Sequence, residues 1–294
     1  MQAFVRGTEI YFDVEGAGLV PDGPVMRQKQ AAMLVHGGPG GDHSGFKPAF
    51  TPLSDALQLV YFDHRGQGRS SRGNPALYTL DENVADMEAL RRYLGLGPIV
   101  SIGTSYGGMV AIAHAARYPE AVSHLVLIVT AAHDGFVSRA QQIVQERGTK
   151  AQQEACETLW AGGFETPEQV QAYYEIMGPL YSRRFDPSQT GAVRGRGVPS
   201  PEPLNRAFGP GGFLRRMDLR PELPQITAPA LILAGRHDWI CAPEFSEELH
   251  ALLPGSRLRI FEDSGHSIRV DQPEEMLQEI MAFIATPGGP TEHE

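Results

Sequence analysis

A mostly parallel α/β sheet, wound with helices on both faces and interrupted by a helical insertion, is the fold class that the sequence predicts. Three observations predict it. Short apolar runs of strand length recur at 31–35, 57–62, 99–102, 125–129, 230–234 and 258–261. Segments with apolar residues at helical spacing separate most of them, and this alternation implies a parallel sheet covered on both faces. From Asp134 to about Asp218 the rhythm stops, and the chain turns helical, polar and Gly/Pro-interrupted, with no plausible strand. The expected organisation is a core of residues 1–133 and 219–287, a helical cap at 134–218 over the sheet edge, and a disordered tail at 288–294.

Taken in order, residues 2–6 and 9–15 alternate as a hairpin turning at Gly7-Thr8. A Gly/Pro-rich loop with Pro21, Gly23 and Pro24 follows. The strand 31–35 runs into His36-Gly37-Gly38-Pro39-Gly40-Gly41. Without Cβ atoms, such a turn lets bare backbone N–H groups point into a cleft, as stabilising an oxyanion requires. The Lys and Ser/Thr spacing of a phosphate-cradling loop is missing, and His36 is placed to brace the turn. The strand 57–62 leads to Asp63-His64-Arg65-Gly66-Gln67-Gly68-Arg69-Ser70, where Asp63 is expected to hold the loop by accepting hydrogen bonds from backbone and from Arg65. Thr79-Leu80-Asp81-Glu82 has capping-box spacing, and its helix carries Val84, Met87, Leu90 and Leu94 on one stripe. Further on, Phe245, Leu249 and Leu252 mark a helix. The last helix starts beside Pro273 and carries Met276, Ile280 and Phe283.

The chemistry centres on Gly103-Thr104-Ser105-Tyr106-Gly107-Gly108, between the apolar run 99–102 and an Ala-rich helical run. A Ser in so sharp a strand-to-helix turn sits in a strained conformation and needs small neighbours two residues away, which Gly103 and Gly107 supply. The turn lifts the hydroxyl clear of the sheet and aims the first helical N–H groups at whatever it attacks. A neutral Ser is a poor nucleophile, so a base must take its proton and a third group must orient that base. Among ten His, His266 in Asp263-Ser264-Gly265-His266 is the best placed, just past the last strand, with His64 and His237 as rivals on cleft-side loops. Asp238, after the strand 230–234, is the favoured acid and Asp134 the alternative. All three favoured residues follow strand C-termini, where active residues of such sheets gather.

The totals narrow the class. A net charge of −10 argues against a nucleic-acid partner or an anionic membrane surface. No apolar run approaches a spanning helix. The first residues lack the charged lead and apolar core of a secretion signal, which with only two cysteines fits a reducing, cytoplasmic setting. Neither cysteine has the surroundings of a nucleophile, and no metal-binding motif or cofactor motif is present.

Together the order H-G-G-P-G-G, D-x-R-G-x-G-x-S, G-x-S-Y-G-G, G-x-x-D and G-H resembles the α/β-hydrolase superfamily, and most of all its proline iminopeptidase branch. The resemblance covers nearly all of the chain outside the cap. It implies that Ser105 is nucleophile, Asp238 orienter and His266 base, and that the Gly38 and Tyr106 N–H groups form the oxyanion hole. It also implies glutamates that hold a substrate's free amino terminus, at positions where this chain has Gly212 and Trp239. A buried ammonium without a carboxylate is unfavourable by several kcal/mol in order of magnitude, so efficient aminopeptidase action would need Glu154, Glu157 or Glu175 as substitute. Eight Arg between Arg183 and Arg220 (183, 184, 194, 196, 206, 215, 216 and 220) reverse the local charge of the cap, as a cleft lining for a neutral or anionic substrate or as a solvated, ion-paired face. The expected protein is a cofactor-free serine hydrolase acting on a small ester, amide or short peptide through an acyl-enzyme. Trp239, Phe213 and Trp160 are candidates for an apolar pocket. A carboxylesterase or lactonase without aminopeptidase action, and a non-hydrolytic ligand-binding or cofactor-free oxidative protein of the same fold, are the alternatives.

Overall fold

The computed structural model describes residues 1–189 and 196–285. Its centre is an eight-stranded sheet ordered β1-β2-β6-β5-β7-β8-β9-β10. The strands are β1 (Gln2–Val5), β2 (Thr8–Glu15), β5 (Ala31–Val35), β6 (Gln58–Phe62), β7 (Ile99–Thr104), β8 (Val122–Ile128), β9 (Ala230–Gly235) and β10 (Arg257–Phe261). The pairs β1–β2 and β2–β6 are antiparallel and every other pair is parallel. Central strands are apolar almost throughout because both faces are covered. Met33 and Val35 join the face packed by α1 (Leu80–Tyr93) and α2 (Tyr106–Arg117), while Ala32 and Leu34 join the face packed by Met276, Ile280 and Phe283.

From β5 the chain passes to β6 on one side and then returns to β7 on the other. Strand order therefore reverses beside β5, which opens a crevice at the carboxyl ends of β5 and β7. The glycine turn and Ser105 lie at those two ends.

Between β8 and β9 the chain makes an excursion through α3 (Gly135–Arg147), α4 (Lys150–Ala161), α5 (Pro167–Tyr181) and the helix Pro201–Phe208. A β-bridge between His133 and Asp218, with Asp134 N–H on Met217 O and Leu219 N–H on Ala132 O, draws its two ends together. The capping boxes Thr149/Gln152 and Thr166/Gln169 start α4 and α5.

Two expectations need correction. The Gly/Pro loop around Pro21–Pro24 is a two-stranded hairpin, β3 (Leu19–Asp22) with β4 (Val25–Gln28). It is mostly exposed, so it lacks the alternating burial that reveals a strand, and Pro21 is tolerated in a ribbon with open edges. Arg65 does not serve Asp63: its guanidinium makes a bidentate pair with Asp86 at 2.6 and 2.5 Å. Asp63 is held instead by the His43 ring and by the backbone N–H groups of His43 and Arg69. The expected tail 288–294 and Arg194 lie outside the described residues.

Sequence periodicity also misses a buried polar seam on α1. Asn83, Asp86 and Glu88 are all buried. Glu88 accepts from Arg91 and Arg92 on its own helix and from His114 Nε2 on α2, at 3.0 Å. Burial pushes its carboxyl up, but the hydrogen bonds from Arg91, His114 and Arg92 outweigh it and hold the group well below the carboxylate range. A depressed folded value stabilises above the unfolded value of about 4.3 and is lost as pH falls towards the folded one. Glu88→Gln is therefore expected to lower the unfolding free energy at pH 7, with the deficit shrinking below about pH 4. Urea denaturation of both proteins across pH 3–7 checks this.

Candidate active site

Ser105 joins β7 to α2 with φ 54° and ψ −123°, a region that L-residues seldom occupy. Strain of this kind is about 1–3 kcal/mol and persists only where the surroundings over-determine it. Here they do. Ser105 N–H donates to Ile128 O at 2.8 Å, and Ser105 O accepts from Thr130 Oγ1 at 2.7 Å and from Gly108 N–H at 2.8 Å. Thr130 reaches that carbonyl because Val129, itself at φ 48°, turns the chain after β8. Although Ser105 occupies the N-cap position of α2, its hydroxyl caps nothing. The first N–H groups of the helix have no acceptor within it.

The turn works only because α2 lies against the end of β5. A Cβ at Gly107 would stand 1.9 Å from Val35 O. Across the gap, Gly37 approaches so closely that its Cβ would be 3.1 Å from Ser105 Cβ. His36 braces this turn. Its Nε2 accepts from His64 N–H at 3.1 Å, so Nδ1 carries the proton and donates to Gly37 O at 2.8 Å. With the Gly37 carbonyl pinned, the N–H of Gly38 at the far end of that trans peptide is turned away from His36. Gly38 has φ 122°, which a side chain would resist. Gln67 Oε1 takes Gly40 N–H at 2.6 Å, and Asp42 Oδ2 takes Val198 N–H of the excursion at 2.5 Å.

Two strands away, Asp238 and His266 meet. Their loops are laced together by Arg236 N–H on Phe261 O and His237 N–H on Ser264 O. His266 Nδ1 lies 2.7 Å from Asp238 Oδ2, and both residues are buried. The other oxygen, Oδ1, accepts from the N–H groups of Ile240 at 2.9 Å and Cys241 at 3.1 Å. Asp238 is thus fixed at both oxygens, and the Nδ1–H tautomer leaves Nε2 as an acceptor. Among the described residues no hydrogen bond joins Nε2 to the Ser105 hydroxyl; such contacts commonly tighten only with substrate in place.

The rivals are placed elsewhere. Asp134 is partly exposed and approaches His133, not His266. His64 is buried behind Tyr106 and Phe62, and burial followed by the neighbouring His36 pushes it well below the usual imidazole range. His237 is half-buried, with its N–H engaged on Ser264 O. Burial pushes the Cys156 thiol up to about 12 and Cys241 well above its ordinary value, so neither is an activated nucleophile.

The aromatic candidates divide. Tyr181 packs edge-on against both Trp239 at 5.4 Å and His266 at 5.5 Å, and Phe213 lies 5.8 Å from Tyr106. Trp160 packs on Phe208 within the excursion, where its carbonyl accepts from Arg215. Of the other arginines, Arg220 pairs with Asp218 and Glu248, while Arg183, Arg184, Arg196, Arg206 and Arg216 are exposed. Sequence reading passed over Thr130, Gln67, Asp42 and Tyr181. Only Gln67 offered any signal, as a polar side chain within a glycine-rich turn.

Comparison with known proteins decides the family. The family described as alpha/beta hydrolase fold matches residues 33–273. The chain belongs to that family, in the proline iminopeptidase-like branch of its serine hydrolases. It is 30% identical over 259 residues to the proline iminopeptidase PfmaB of Pestalotiopsis fici, covering 86% of this chain and 90% of that one. The solved proline iminopeptidase of Mycobacterium smegmatis superposes with a TM-score of 0.76 at 20% identity, covering 97% of each chain. A thermophilic esterase from Thermogutta terrifontis superposes with a TM-score of 0.72 at 25% identity, covering 98% of this chain and 100% of that one. No helix among the described residues is long and apolar enough to cross a membrane.

The Gly107 contact is with backbone and cannot be relieved by a rotamer change. Gly107→Ala is expected to lower the unfolding free energy by more than about 4 kcal/mol. Gly97, where an added Cβ meets nothing within 4 Å, provides the control, and Gly97→Ala should be neutral in the same denaturation experiment.

Proposed function

We propose that Ser105, His266 and Asp238 act as nucleophile, base and orienter in hydrolysis of a small carboxylic ester. The observation that carries this reading is the 2.7 Å contact of Asp238 with His266 Nδ1, on the same sheet rim as a strained Ser105 whose hydroxyl caps no helix. Ser105 Oγ attacks the carbonyl carbon while His266 Nε2 takes its proton. Asp238 stabilises the imidazolium. The N–H groups of Gly38 and Tyr106 hold the oxyanion, each contributing about 3 kcal/mol in a dry site. Collapse of the tetrahedral species expels the leaving alkoxide, which takes the proton from His266. Water then attacks the acyl-enzyme, again deprotonated by His266, and Ser105 recovers its proton as the acid leaves.

The residues 134–218 are read as a cap that closes over this rim and supplies apolar contacts through Phe213. Ester is favoured over an N-terminal prolyl substrate by what stands at the two amine-holding positions. Gly212 is wedged so that a Cβ would be 2.2 Å from Ala207 O, which leaves no room for any side chain. Trp239 is wholly buried and uncharged. Glu154 and Glu157 are exposed on α4. The names of the relatives favour the second reading, release of an N-terminal proline.

Two measurements test these statements. Ser105→Ala should lower kcat on the order of 10⁴-fold or more. It should unfold at an unchanged or higher temperature, and a fluorophosphonate should label only the unaltered protein; labelling elsewhere with retained turnover rules out this nucleophile. In a panel of short-chain nitrophenyl esters, lactones and prolyl-anilide, kcat/KM should be highest for an ester. A higher value for the anilide would mean that another acidic group holds the amine.

A further inference from the structure

Asp271 takes no part in the chemistry proposed above, yet it is completely buried beside it. Its Oδ2 accepts Gly265 N–H at 2.8 Å, and its Oδ1 accepts Ser182 Oγ–H at 2.5 Å and Arg184 N–H at 3.0 Å. All three partners are donors, so the site is shaped for an acceptor-only group. Gly265 is the residue immediately before His266. The N–H of Ser267, immediately after it, donates to Tyr181 O at 2.8 Å. The Ser264–Gly265 peptide, one residue before the proposed base, is therefore pinned by the Asp271 carboxylate, and the His266–Ser267 peptide just after the base by the last residue of α5. Little slack remains, since a Cβ at Gly265 would stand 2.8 Å from the same Tyr181 O. The Tyr181 ring meets the imidazole edge-on.

We infer that Asp271 is a positioning residue for His266, and that through Ser182 and Arg184 it registers the end of cap helix α5 against the loop that carries the base. This rests on the reading of His266 as base. Asp238 fixes the imidazole about Nδ1, but rotation of the Ser264–Gly265 peptide would still move the backbone that carries the ring. Displacement by about 1 Å of a group that must meet the Ser105 hydroxyl lowers the rate on the order of 100-fold. The loss falls on kcat, because Asp271 touches no reacting atom and the proton transfer belongs to the transition state.

The test uses the full chain with Asp271→Asn, Ser182→Ala and His266→Ala. An amide at 271 keeps one acceptor oxygen but turns an NH2 towards a donor. Asp271→Asn is expected to slow both nitrophenyl ester kcat and fluorophosphonate labelling of Ser105 by about 10- to 100-fold, with KM within about twofold, in protein whose circular dichroism is native. Ser182→Ala, which leaves the Gly265 contact, should lose about three- to tenfold in the same two rates. Folded Asp271→Asn with unaltered kcat and labelling rate, alongside inactive His266→Ala, would overturn this inference and leave the base in place. Turnover retained by His266→Ala would overturn the reading of the base itself. If Asp271→Asn fails to fold, Ser182→Ala decides, and unaltered rates there would sink the proposal.

Discussion

The first turn of α2 presses on the carboxyl end of β5 so closely that Gly107 and Val35 O leave no space for one carbon atom. Much of the site follows from this contact. Because the two strands ending there are neighbours, the glycine turn after β5 and the serine turn after β7 face each other across a few ångströms of backbone. The groups assigned to attack and to oxyanion binding therefore come from the ends of two paired strands. Their separation is set by the hydrogen-bonding distance of the sheet rather than by a flexible loop. The strain that this demands at Ser105 is held by an acceptor at the end of β8, Ile128 O, and by donors from α2 and from Thr130, which the second strained residue, Val129, delivers.

This division explains what could be read from the sequence and what could not. Central strands were legible as unbroken apolar runs because both of their faces are buried, and the fold class follows from their alternation with helices. The serine turn was legible because its steric needs fall on residues two positions away in the chain. The β3–β4 hairpin has no buried face and so left no periodic signal. Arg65 was assigned to the nearest carboxylate in sequence. Gly66 and Gly68, both at positive φ, reverse the chain there, and the guanidinium reaches Asp86 on α1 instead. Asp271 and Asp42 were invisible for a further reason. Each serves distant backbone N–H groups, and a backbone donor has no residue type that a sequence can display.

The same accounting bears on substrate choice. Six buried carboxylates are described: Asp42, Asp63, Asp86, Glu88, Asp238 and Asp271. Every one is already bound, by backbone N–H, hydroxyl, guanidinium or imidazole groups. A substrate ammonium held by one of these six would have to displace one of these donors, leaving that donor unsatisfied while the ammonium itself gave up water. An ester carbonyl asks only for N–H donors, which the proposed oxyanion hole draws from the two adjacent strand ends. The branch to which the chain belongs is named for an amine-bearing substrate, but among these buried groups the means of holding the amine is spent on holding the protein together.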